Sequence, residues 1–227
     1  MNFFKTTAIA AAVFAMGSAA SAATYDFKEM ADGAYGESAY DVFNVGGLSI
    51  TAEKNSEPAL VYLDANDAGM GVCGSLKDGE DLGPNPGSGA NVCSDASDDS
   101  IQWEVSEILT FTALGLDVIL DAIWVNFNHD PSSGEESAWS WTIDGEEYTL
   151  ADMELVPDAG LSGSGDYKID LMGLEIEAGH SISIFLNAGP NSYLSGISAT
   201  AVPLPAAGWL LLGGLGGMVA LKRRKKA

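Results

Sequence analysis

The side chains able to do chemistry in this 227-residue chain are numerous as carboxylates and sparse as everything else. His129 and His180 are the only histidines. A Ser-His-Asp arrangement needs its serine on a strained elbow, and the GxSxG signature of that elbow does not occur. Leu161-Ser162-Gly163-Ser164-Gly165 reads instead as a Gly-Ser turn. His129, followed by Asp130 and Pro131, reads as the end of a strand facing water. With 32 Asp and Glu residues, some close pair of carboxylates is inevitable, so pairing alone does not mark a glycosidase-type acid and base. The expectation is a protein that is not an enzyme.

Binding chemistry has better candidates. Asp64-Ala65-Asn66-Asp67-Ala68-Gly69 opens like a calcium loop, but its fifth position is Ala68 and its twelfth, where the EF-hand pattern needs a bidentate Glu, is Ser75. Asp95, Asp98 and Asp99 depart from that pattern too. Calcium sites in β-sandwiches gather ligands from distant loops. Asp64, Asp67, Asp95, Asp98 and Asp99 are therefore the candidate ligands for calcium, the one cofactor the sequence suggests, with solvated turns as the alternative reading. Cys73 and Cys93 are the only cysteines and bracket a loop rich in Gly, Pro and Asn. A disulfide is expected, and closing that loop stabilises a fold by roughly 3 kcal/mol. Free thiols or a metal site is the alternative. Trp139 and Trp141 share one face of an expected strand: exposed, they would stack on sugar rings, and buried, they belong to the core.

The elements that must position these groups read as strands. Between Thr24 and Thr200 the chain alternates short runs of Ile, Val, Leu, Phe, Trp and Tyr with clusters of Gly, Asn, Asp, Pro and Ser, and helical periodicity never lasts beyond two turns. Strands are expected at 40–45, 48–52, 59–63, 101–103, 108–112, 119–128, 139–143, 146–150, 167–171, 181–188 and 197–201. Gly46-Gly47 and Asp144-Gly145 suit two-residue hairpins. The 119–128 run is apolar on both alternating sets, as a central strand covered on both faces would be. The fold class expected is all-β, a two-sheet sandwich of jelly-roll type over residues 23–201.

The two ends carry addresses rather than fold. Lys5, the apolar run 8–15 and Ala20-Ser21-Ala22 form a signal peptide over 1–22, cleaved after Ala22 or Ala23 by signal peptidase. At the other end Val202-Pro203-Leu204-Pro205-Ala206 leads into the uncharged segment 206–221 and then Lys222-Arg223-Arg224-Lys225-Lys226. A helix over 206–221 would span roughly 24 Å, short for a bilayer core, and five glycines weaken it. The basic cluster would stay cytoplasmic, which places everything before Val202 beyond the inner membrane. Removing both ends leaves 32 acidic residues against Lys28, Lys54, Lys77 and Lys168, a net charge of about −28 with no arginine. Such a body repels nucleic acid and anionic lipid.

The order of Pro motif, apolar segment and basic cluster over 202–227 resembles the VPLPA-CTERM variant of the PEP-CTERM sorting signal of Gram-negative bacteria. That resemblance implies an exosortase as a processing partner, cutting near the Pro motif. The body is similar to the generic PEP-CTERM ectodomain through Gly69-Met70-Gly71-Val72-Cys73, Ser106-Glu107-Ile108-Leu109-Thr110-Phe111 and Asn128-His129-Asp130. The expected role is a non-catalytic cell-surface or matrix protein, transiently membrane-anchored and associated with extracellular polysaccharide or biofilm. The alternative is a lectin-like module that binds carbohydrate or calcium.

Overall fold

The computed structural model describes residues 21–87, 90–94, 99–127, 138–156 and 166–202. In chain order the elements are β1 (Ala23–Asp26), α1 (Phe27–Asp32), β2 (Ser38–Tyr40), β3 (Phe43–Val45), β4 (Leu48–Lys54), β5 (Glu57–Asp64) and β6 (Gly69–Cys73). After these come β7 (Glu107–Ala113), β8 (Val118–Asn126), β9 (Ser140–Ile143), β10 (Glu146–Thr149), a 3-10 turn (Leu150–Asp152), β11 (Met153–Val156), β12 (Asp166–Ile176), β13 (Ser181–Ala188) and β14 (Tyr193–Ala201). The described chain is all-β with one short helix. The signal peptide through Ala20, the tail from Pro203 onward, Asp95, Asp98 and His129 lie outside the described residues. Among the described residues no helix is long and apolar enough to cross a membrane.

Every ladder is antiparallel, and the strands follow one path, β10-β9-β13-β7-β4-β5-β6-β14-β8-β12-β11. β1 adds to β14, β2 to β5 and β3 to β4. The two ends of the path, β10 and β11, are joined in sequence by the 3-10 turn, and the sheet comes close to closing as a barrel. β5 makes the corner: Glu57–Ala59 pair with β4, whereas Leu60–Asp64 pair with β6.

Both expected hairpins form. Gly46 and Gly47 (φ 58° and 83°) join Val45 to Leu48, and Asp144 and Gly145 (φ 50° and 83°) join Ile143 to Glu146. Two successive left-handed residues match the right-handed twist of the flanking strands. The run expected at 40–45 divides at Asp41-Val42 into β2 and β3, which pair with different partners. The strand expected at 101–103 is reduced to a bridge between Ile101 and Ser192.

One core gathers inward residues from all sides, including Leu48, Ile50, Leu109, Phe111, Ile123, Val125, Ile169, Ile184, Leu186 and Ile197. β8 lies between β12 and β14 and is buried on both faces as expected: Ile123 and Val125 face the core, while Ala122 and Trp124 form a small outer cluster. Its phase changes at Asp121. There β12 and β14 both shift register, so Leu120 and Val118 also enter the core. A bulge allows this, because an inserted residue reverses which alternate set points inward.

Candidate functional site

β5 ends on Asp64, and the segment 99–101 crosses β6, where the Val72 amide donates to the Ser100 carbonyl at 3.2 Å. These two placements bring Asp64 and Asp99 to the same phenol, Tyr193 at the start of β14. Tyr193 Oη donates to Asp99 Oδ1 at 3.0 Å and also interacts with Asp64. Glu37, just before β2, joins from the other side, and Tyr62 Oη donates to its Oε2 at 2.5 Å. Glu37, Asp64, Tyr62 and Tyr193 are each 3% exposed or less. The disulfide loop is fastened to this cluster by Asn91 Nδ2 to Asp99 Oδ2 at 2.7 Å and by the Val92 amide to Tyr62 Oη at 3.4 Å.

Burial, then the Asp64 carboxylate, pushes Glu37 from 4.5 up to about 7. Burial, then Glu37, pushes the Tyr62 phenol up, and burial followed by Asp64 and Asp99 does the same to Tyr193. Both phenols are therefore held as proton donors. The arrangement can share a proton between Glu37 and Asp64 and hold Asp99 in place, and its carboxylates are engaged by Tyr62, Tyr193 and Asn91. Asp67 has another job in the β5–β6 turn, where its amide donates to Asp32 Oδ2 at 3.3 Å and its φ is 67°. Of the five proposed calcium ligands, two thus meet, one sits in a turn, and two lie outside the described residues. Among the described residues no group of three or more His, Cys, Asp or Glu is placed to hold a metal ion.

The other candidates resolve simply. Cys73 and Cys93 are bonded across 20 residues, with Cα atoms 5.8 Å apart, and both are fully buried. Trp139 and Trp141 are 1% and 0% exposed, which corrects the sugar-stacking reading: neither ring has a face open to a ligand. Trp139 Nε1 donates to Ser192 Oγ at 2.9 Å, and its ring meets Phe127 and Tyr167 edge to face. His180 is exposed beside Glu177 on the turn before β13.

A second buried polar centre was not marked by any motif. Lys28 of α1 is fully buried, with Nζ 2.5 Å from Asp166 Oδ2 at the start of β12. Asn126, the last residue of β8, places Nδ2 3.4 Å from Asp166 Oδ1, 2.8 Å from the Ala68 carbonyl and 2.7 Å from Ser195 Oγ. The one available signal was the rarity of lysine in this body and the neighbouring Phe27, which α1 buries. No family model, curated protein or solved structure matches this chain. The two buried centres are therefore read on their own chemistry.

Proposed function

We propose that the protein is a non-catalytic cell-surface or extracellular-matrix component. Its body is a jelly-roll-type sandwich, exported through the inner membrane and released from its C-terminal anchor by an exosortase. The observation that carries this reading is where the first and last of the described strands lie relative to the two sequence motifs. β1 starts at Ala23, directly after Ala20-Ser21-Ala22, and β14 ends at Ala201, directly before Val202-Pro203-Leu204-Pro205-Ala206. These two strands pair with each other, Ala23 opposite Ala199. The Val202 amide donates to the Asp117 carbonyl at 2.8 Å. The buried disulfide suits an oxidising compartment, and an acidic, arginine-free body suits extracellular polysaccharide or cations better than nucleic acid.

Mass spectrometry of the C-terminal peptide from surface and medium fractions, with and without the exosortase, tests the reading. An end within Val202–Ala206 that depends on the enzyme is expected. An intact Lys222–Ala227 tail in the membrane fraction overturns the processing step. A second reading, a calcium-binding module, draws on the meeting of Asp64 and Asp99 at Tyr193. Calorimetric titration with calcium tests it: saturable heat that is lost in Asp99→Asn supports it, and no heat sinks it.

A further inference from the structure

Lys28, Asn126 and Asp166 come from three separate elements and meet at exposures of 0%, 0% and 1%. A plain ion pair at such a place is an expensive arrangement, since both ions give up their hydration and recover it only through each other. Here the geometry offers the pair another outcome. Nζ lies 2.5 Å from Asp166 Oδ2, which brings the nitrogen within attacking range of the carboxyl carbon Cγ. The other oxygen, Oδ1, faces the amide N–H of Asn126. The same Asn126 Nδ2 also donates to the Ala68 carbonyl and Ser195 Oγ, which fix it in place, and Oδ1 shares its two N–H groups with them as charge develops there.

We propose that Lys28 and Asp166 condense into an intramolecular isopeptide bond. The ammonium first passes one proton to Oδ2, which leaves a neutral amine beside a neutral carboxyl group. The amine lone pair attacks Cγ and the C–N bond forms, with negative charge on Oδ1 turned toward Asn126. Collapse of that intermediate breaks the Cγ–Oδ2 bond. Oδ2 leaves as water with a second proton taken from the nitrogen, and the remaining N–H belongs to the new amide. Lysine and carboxylate supply every atom, so no oxidant or other co-reactant is needed. The product replaces two buried charges by one neutral amide. It also ties α1 to β12 across 138 residues, a crosslink that would restrict the unfolded chain.

Peptide mass spectrometry on the purified, folded protein after disulfide reduction decides the matter. The body's only basic residues are Lys28, Lys54, Lys77 and Lys168, so trypsin has few places to cut. If the bond forms, cleavage after Lys28 is lost. The peptide ending at Lys54 is then joined to the peptide ending at Lys168, and their combined mass is short by one water. The Lys28→Met variant restores two separate peptides at full mass. Peptides of full mass with normal cleavage after Lys28 overturn the proposal. So does a water lost within the Asp166 peptide alone, and so does a Lys28–Asn126 link short by one ammonia.

Discussion

Glu37 and Asp64 share a pocket too poorly hydrated to hold two negative charges cheaply, and the consequence is a pH dependence with a definite sign. The folded-state value of Glu37 is raised from 4.5 to about 7. Its stabilising contribution is therefore fully present below 4.5 and is lost as pH rises through about 7. A Glu37→Gln variant keeps an acceptor for Tyr62 and cannot ionise. Between those two pH values the melting temperature of the native protein should fall relative to that of the variant, by on the order of 5 °C. Parallel pH profiles for the two proteins would overturn the assignment. Gly71 makes a steric prediction of the same local kind. A Cβ at this position would collide with the Asp99 carbonyl that crosses β6. Gly71→Ala should cost about 1–3 kcal/mol in denaturant unfolding, and an unchanged midpoint would mean that the crossing segment yields freely.

At the scale of elements, the disulfide closes a loop within the long connection between β6 and β7. Replacing Cys73 and Cys93 together by serine should cost about 3 kcal/mol, read as a lower denaturant midpoint, with no loss expected if the Asn91 and Tyr62 contacts suffice. Which elements were legible in the sequence follows from how local their signals are. The hairpins at Gly46-Gly47 and Asp144-Gly145 announce themselves because the turn chemistry lies in adjacent residues. β8 was legible because its apolar length exceeds what a one-sided strand needs. β6 was not legible as a strand, because Gly69-Met70-Gly71 is dictated by backbones that come from elsewhere: the Leu194 carbonyl lies against Gly69 and the Asp99 carbonyl against Gly71. Alternation placed Trp139 and Trp141 on one face but could not say which face was dry. The pairing of Asp64 with Asp99, the arrival of Glu37, and the meeting of Lys28 with Asp166 are all products of the strand path, so spacing along the chain carried no trace of them.

For the whole molecule the dominant fact is charge: between residues 23 and 201, 32 acidic residues face four lysines, and three of those lysines are paired, Lys28 with Asp166, Lys54 with Glu107 and Lys168 with Asp170. The surface is left strongly negative, and its mutual repulsion opposes compaction. Screening should relieve that repulsion. Raising ionic strength from about 0.01 M to about 1 M shortens the Debye length from roughly 30 Å to roughly 3 Å, so the melting temperature should rise across this range. The choice of cation separates two physical causes. If sodium and the bulky tetramethylammonium ion raise it equally, diffuse screening explains the gain. If calcium at far lower ionic strength gives the same rise, and Asp99→Asn abolishes that rise while leaving the sodium response intact, the carboxylates around Tyr193 bind the ion directly. A melting temperature that is flat or falling with all three salts would mean that surface repulsion is not what limits the stability of this acidic body.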